Sequence, residues 1–292
     1  MHDTLRNWVE SMETFAREVI FGQRQGNRAA VLRGVLYAIS HLFALAVKVR
    51  RLLYEMRIFR DSTLGVQVIA VGNLTVGGTG KTPVVEKLAR ELRDQGRNVA
   101  ILSRGYRSKP EPFLRRLIDR LLLRKDKTPP RVVSDGKSLL LDSETAGDEP
   151  YMLASNLKDV VVLVDKDRVK SGLYAIEKFG CDTLLLDDGF QYWKLAGRRH
   201  DIVLIDCQQP FGNKHLLPRG TLREPPSHLS RASTIFITKS NGNTDALRAQ
   251  LAKLNPHARI IECVHNPLYL EDVFTGERFD LELLKAVSYT HL

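Results

Sequence analysis

Gly72-Asn73-Leu74-Thr75-Val76-Gly77-Gly78-Thr79-Gly80-Lys81-Thr82 lies between a β-branched run, Val66–Val71, and an amphipathic run, Pro83–Gln95. Strand, glycine-rich turn and helix in that order make the setting a phosphate-binding loop requires. Gly77, Gly78 and Gly80 leave backbone N–H groups free to close around phosphate oxygens, and the helix start adds its dipole. Thr75, Val76 and Thr79 complete the cradle. Lys81 can reach the β- and γ-phosphates of ATP, and the Thr82 hydroxyl can bind Mg²⁺. A strict GxxxxGK[ST] loop carries glycine at position 75, where this chain has Thr75. The match is therefore to the GGxGKT form of the loop.

Outward from this loop, short apolar runs recur at Val99–Leu102, Val160–Val164, Thr183–Asp187, Ile202–Asp206, Thr234–Thr238 and Arg259–Cys263. Several are apolar throughout, as strands covered on both faces are. Strand–helix alternation predicts an α/β fold of the P-loop NTPase type, a mostly parallel sheet flanked by helices, with ligands at the carboxyl ends of its strands. Leu184-Leu185-Leu186-Asp187-Asp188 delivers acid to that edge, as a metal-orienting aspartate must be delivered. If the strand persists, Asp187 and Asp188 point to opposite sides.

Composition narrows the partners. The 292 residues, 43% hydrophobic and 27% charged, exclude whole-chain disorder. A net charge of +10 favours an anionic partner: nucleic acid, a phospholipid surface or a phosphorylated substrate. Cys181, Cys207 and Cys263 are scattered, which gives neither a disulfide framework nor a zinc cage. The start, Met1 to Gln25, has no apolar core and is not read as a signal peptide. The stretch Gly34 to Val47 has no formal charge over 14 residues. As a helix it spans about 21 Å, short of a hydrocarbon core of roughly 30 Å, so a membrane span is not expected. Arg33, Tyr37, Ser40, His41, Lys48 and Arg51 fall on one arc of that helix, with Val35, Leu36, Ile39, Leu42, Phe43 and Val47 elsewhere. Such a pattern suits either a helix lying in a membrane interface or one packed on the protein's own core.

Six motifs in order resemble the tetraacyldisaccharide 4'-kinase family, the lipid A kinases of Gram-negative bacteria. They are Asn73–Pro83, Ser103-Arg104-Gly105-Tyr106, Gly147-Asp148-Glu149-Pro150, Asp187–Gln191, Phe211-Gly212-Asn213 and Leu217–Pro225. The resemblance implies two α/β/α lobes around a cleft, an N-terminal interfacial helix, and attachment to the cytoplasmic face of the inner membrane, peripheral or monotopic. It implies transfer of the ATP γ-phosphate to the 4'-hydroxyl of a lipid A disaccharide precursor. In these terms Lys81 neutralises phosphate charge, and Thr82, Glu149, Asp187 and Asp188 are the candidates to hold Mg²⁺. Asp148 is the candidate acid/base for the sugar hydroxyl, with Arg168 also catalytic. Arg104, Tyr106, Gln191, Arg223 and Glu224 are expected around the substrate. The expected divisions are an N-terminal region at 1–62, a kinase core at 63–240 and the start of a C-terminal lobe at 241–292.

Two features depart from the family pattern. A basic insertion, Pro110 to Arg131, places Phe113, Leu114, Leu117, Ile118, Leu121 and Leu122 on one side, and a second membrane-contacting helix is expected there. The family pattern also continues past the point where this chain ends, into a segment with a histidine that pairs with the aspartate of Gly-Asp-Glu-Pro. The last residues, 287–292, read as a foreign tail, and His291 is not given that role. The competing reading is a membrane-recruited ATPase switch of the GGxGKT branch, which needs neither the Gly-Asp-Glu-Pro nor the Leu-Arg-Glu-Pro motif. A nucleic-acid-binding NTPase rests on charge alone, so nucleic acid is not expected as a partner, and no protein partner is expected either.

Overall fold

The structure, a computed structural model, describes residues 2–105, 128–240, 242–264, 266–272 and 275–286. Tyr106, most of the basic insertion and residues 287–292 lie outside them. Two helices come first, α1 (His2–Ile20) and α2 (Asn27–Glu55). The body is an eight-stranded sheet. Its strands are β2 (Gln67–Asn73), β3 (Val99–Ser103), β4 (Arg131–Asp135), β5 (Val161–Val164), β6 (Thr183–Asp187), β8 (Arg199–Asp206), β9 (Thr234–Thr238) and β10 (Arg259–Glu262). They run in the order β10-β9-β8-β2-β6-β3-β5-β4, with β1 (Ser62–Thr63) paired to β7 (Leu195–Ala196) as a separate two-residue ladder. All neighbours in the large sheet are parallel except β4, which runs antiparallel to β5 at one edge.

Every residue of β3, β5 and β6 is buried, which is why these runs carry no polar alternation. On one face α3 (Lys81–Asp94) and α4 (Asp148–Asn156) cover Val71, Ile101, Val162 and Leu185 with Val85, Ala89 and Leu153. On the other, α5 (Arg168–Phe179) covers Ala70, Leu102 and Leu184 with Ala175. A third cluster gathers Leu74, Phe190, Val203, Leu222, Leu229 and Ile235, with Leu251 from α6 (Asp245–Leu254), beside the phosphate loop. The sheet runs past residue 240, since β10 pairs with β9 from Arg259↔Thr234 to Glu262↔Ile237, so the boundary drawn there falls inside it. After β10 the described residues form a short hairpin, β11 (Leu270–Glu271) with β12 (Arg278–Phe279), and a 3₁₀ turn at Leu281–Ala286.

Helix α2 differs from its sequence expectation in its length. It is one unbroken helix of 29 residues, long and apolar enough by length and composition to cross a membrane, and almost none of its apolar stretch is buried. Counting only charge-free residues understated it, because a lone lysine does not end an apolar helix. Its two sides are unequally covered. Ser40 is buried and donates to the Leu216 carbonyl at 2.8 Å, and Arg33 and Arg51 are half-buried. Val31, Val35, Leu42, Leu45, Val49 and Leu52 point into solvent, between 43% and 68% exposed. The side turned to the protein is mixed, Arg33, Ser40 and Arg51 with half-buried Leu36, Phe43 and Val47, while Tyr37, His41 and Lys48 are exposed along with the apolar stripe.

Candidate active site

The phosphate loop is fastened before any ligand arrives. Gly77 (φ 124°) and Gly80 (φ 78°) take the left-handed backbone that side chains disfavour, and Gly80 opens α3 at Lys81. Buried Asn73 donates to Thr79 Oγ1 at 3.0 Å and accepts from Lys81 Nζ at 3.4 Å. Gln191 donates to the Asn73 carbonyl at 2.9 Å, and Thr238 Oγ1 to the Thr79 carbonyl at 3.0 Å. Val76 N–H donates to Thr221 O at 2.7 Å, so the Phe211–Glu224 segment braces the loop. That segment also receives Ser40 at Leu216, and its Asn213 and Arg219 both donate to the Ile20 carbonyl at the end of α1.

Asp187 and Asp188 separate, though not by strand alternation, because β6 ends at Asp187. Asp187 ends β6, is 4% exposed, and accepts from Ser103 Oγ at 3.2 Å. Burial, with Glu149 and Asp188 nearby, pushes its carboxyl up to about 6, while Lys81 and Ser103 pull it back. Asp188 turns out of the strand at φ 52°. Arg223 Nη1 donates to both of its oxygens at 2.8 Å, and Lys81 Nζ stands 3.8 Å away.

These groups share a cavity of about 820 Å³ lined by Gly77, Lys81, Ser103, Arg104, Glu149, Lys166, Arg168, Asp187, Asp188, Gln191, Arg223 and Glu224. Its remaining wall is Tyr192, Trp193 and Leu217, together with Phe43, Ala46, Val47 and Arg50 of α2. A larger cleft of about 950 Å³ lies between α1 and the start of α2, but holds none of the motif residues. Arg168 is 5% exposed, lies 5.0 Å over the Tyr192 ring, and its Nε has no hydrogen-bond partner. Burial and the neighbouring Arg104 lower its pKa. A buried guanidinium with no carboxylate hydrogen-bonded to it, whose Nη1 donates to the Lys166 carbonyl at 3.4 Å and whose Nε has no partner, is a site for an anionic group where it lines a cleft.

Mg²⁺ fits the donors present. Among the described residues no three His, Cys, Asp or Glu side chains form a metal cage. Mg²⁺ takes one or two carboxylates and completes its shell with phosphates and water. The mutual repulsion of Glu149, Asp187 and Asp188 is what a dication would relieve. Thr82 is half-buried on the first turn of α3.

Some expected residues stand differently. Asp148 opens α4 and is exposed; the adjacent Glu149, not Asp148, lines the cavity. Glu224 reaches the cavity wall but is 4% exposed and committed to His228 and Arg231, both at 2.7 Å. Sequence reasoning passed over Asn73 and Ser103, although both sit within quoted motifs. It passed over Lys166, Tyr192, Trp193 and the inner face of α2 as well, since periodicity does not say what a helix packs against.

The Tetraacyldisaccharide-1-P 4'-kinase family profile matches residues 32–288. The chain is 36% identical over 274 residues to a tetraacyldisaccharide 4'-kinase of Halothermothrix orenii, covering 91% of this chain and 66% of that one. To the enzyme of that name from Syntrophus aciditrophicus it is 38% identical over 260 residues, covering 86% and 65%. The chain thus spans about two thirds of the length of these curated relatives. Its fold superposes, with a TM-score of 0.66 and 32% identity, on the "apo" form of LpxK from Aquifex aeolicus in complex with ATP, covering 87% of this chain and 71% of that one. Motif order, phosphate-loop geometry and sheet topology agree with these matches, and the chain belongs to the tetraacyldisaccharide-1-P 4'-kinase family.

Proposed function

We propose that this chain binds ATP with Mg²⁺ and transfers the γ-phosphate to the 4'-hydroxyl of a tetraacyldisaccharide 1-phosphate, at the cytoplasmic face of the bacterial inner membrane. The observation that carries this reading is the shared wall. Phe43, Ala46, Val47 and Arg50 of α2 line the cavity that contains Lys81, Asp187 and Asp188, while Leu42, Leu45 and Val49 of the same helix face out. A glycolipid whose chains follow the outer stripe has a short path for its sugar into the phosphate site. An ATPase switch needs no such opening.

The roles follow from position. The loop amides and Lys81 hold the β- and γ-phosphates in line, so catalysis is mostly placement and charge stabilisation. Thr82 and Asp187, with Glu149 or Asp188 beside them, are the groups that would hold Mg²⁺, which would offset charge on the transferring phosphoryl group. Arg168 and Arg104 suit the remaining anionic oxygens or the lipid's own phosphate. Asp148, exposed at the start of α4 beside the cavity-lining Glu149, would accept the proton of the sugar hydroxyl, a role supported by family resemblance and worth about 10²–10⁴-fold.

The test is γ-labelled ATP with tetraacyldisaccharide 1-phosphate in mixed micelles. Labelled lipid that disappears in Asp148→Ala supports the reading, and label released only as inorganic phosphate refutes it. Leu42→Glu with Leu45→Glu should lower vesicle binding without lowering the unfolding midpoint, since those side chains are 67% and 57% exposed.

A further inference from the structure

Behind the Asp188–Arg223 pair stands a column of charge and rings that the proposed chemistry does not use. Glu224, buried, accepts from His228 Nδ1 and from Arg231 Nη2, each at 2.7 Å. The Arg231 guanidinium lies over two rings at once, 4.1 Å from the centroid of Phe190 and 4.1 Å from that of Trp193. Trp193 is in turn met by Tyr54 of α2 at 5.5 Å and by the Arg50 guanidinium at 6.0 Å. Covering an arginine until its side chain is only 23% exposed is costly, and that burial lowers its pKa. Glu224 and two ring faces offset the cost.

What the column joins gives it a role. Phe190 is two residues beyond Asp188, and Glu224 is the residue after Arg223. Arg231 therefore ties together the two chain segments whose ends meet in the Asp188–Arg223 ion pair. A flat, delocalised cation can stack on two rings and still donate to a carboxylate in its own plane; an ammonium cannot.

We propose that Arg231 is a positioning residue for the phosphate site: by joining Phe190 and Trp193 to Glu224 it fixes Asp188 against Arg223 and Lys81, and so sets how well Mg²⁺–nucleotide is held. This rests on the phosphate-loop reading above, but its readout is binding and does not require lipid phosphorylation.

The experiment is calorimetric titration of the full chain with ADP, across a range of Mg²⁺ concentrations and in EDTA, for wild type, Arg231→Met and Arg231→Lys. Loss of a group supporting a metal site typically costs about 10–100-fold in metal affinity. The Mg²⁺ concentration for half-maximal ADP binding should accordingly rise about tenfold in Arg231→Met, and by less in Arg231→Lys, which keeps the charge beside Glu224. ADP affinity in EDTA, governed by the loop amides and Lys81, should stay unchanged. A purely structural arginine would reduce the fraction of chains that bind and leave the Mg²⁺ dependence as in wild type; that result overturns the proposal. Should Arg231→Met fail to fold, a wild-type Mg²⁺ dependence in Arg231→Lys overturns it equally. Wild type that binds no ADP under either condition overturns the phosphate-loop reading, and this proposal with it.

Discussion

Gly72→Ala is the most informative single change. Gly72 sits in β2, one residue before Asn73, where the strand passes under the turn that follows Asp187 and Asp188. A methyl group there would lie 2.6 Å from Phe190 Cβ, 2.9 Å from its backbone N and 3.3 Å from its Cα. Carbon atoms at rest stand about 3.5–4.0 Å apart, so the turn or the strand must retreat by about 1 Å. No rotamer relieves the contact, because the obstructing atoms belong to the Phe190 backbone and its Cβ. Overpacking of this kind costs about 1–3 kcal/mol. The same shift would carry Asp188 off Arg223, whose two bonds now measure 2.8 Å. A misplacement of about 1 Å at a reacting site can cost about 10²-fold in rate. Urea unfolding and steady-state phosphoryl transfer measure the two effects separately. Gly34→Ala is the control: no atom lies within 4 Å of its added methyl, and in a helix it should gain about 0.5–1 kcal/mol. A Gly72→Ala chain with wild-type stability and turnover would show that the approach of β2 to Phe190 does not set the site.

Two further outcomes follow. Arg199→Met should lose about 3–5 kcal/mol in urea unfolding, because the side chain, 10% exposed, pairs with Asp201 at 2.7 Å and donates to the carbonyls of Gly189, Tyr192 and Leu195. Adding Asp201→Asn should recover part of that loss, and a single variant losing under about 1 kcal/mol would contradict the assignment. Burial pushes the Cys181 thiol up to about 11, so its contribution to stability is complete below the unfolded value near 8.5–9 and falls as pH rises toward 11. Wild type should lose about 2–3 kcal/mol more than Cys181→Ala between pH 8 and pH 11, and parallel pH profiles of the two would refute it.

The sequence announces a feature where one physical cause dominates. Leu184-Leu185-Leu186 reads as a strand because both faces of β6 are covered, and the acids after it diverge because the chain leaves the strand at Asp188. β4 was harder to read. Only Val132 and Val133 are apolar in it, and a bulge between Val132 and Ser134 breaks its alternation beside β5. Glu224 resembled a substrate contact, since a motif cannot say whether a carboxylate faces a cleft or a partly covered arginine seven residues on. Periodicity sorted α2 into faces, but which face meets water depends on the partner, and that partner is the Phe211–Glu224 segment nearly two hundred residues away.

The outward apolar stripe of α2 bears on how tightly the proposed enzyme would sit on a lipid surface. Six aliphatic side chains, each about half exposed, line its outer stripe. Full burial of such a side chain gains about 1.5–3 kcal/mol, so the stripe offers roughly 5–9 kcal/mol before any cost of association. Association costs at least about 4 kcal/mol, which leaves weak attachment from apolar contact alone. Arg57 and Arg60, exposed just past the helix, add about 1 kcal/mol each near anionic headgroups. The balance describes a surface that holds by two weak forces together and lets go when either is removed. A kinase whose substrate and product both remain in the bilayer needs such a grip: long enough to admit one sugar to Lys81, and loose enough to release it.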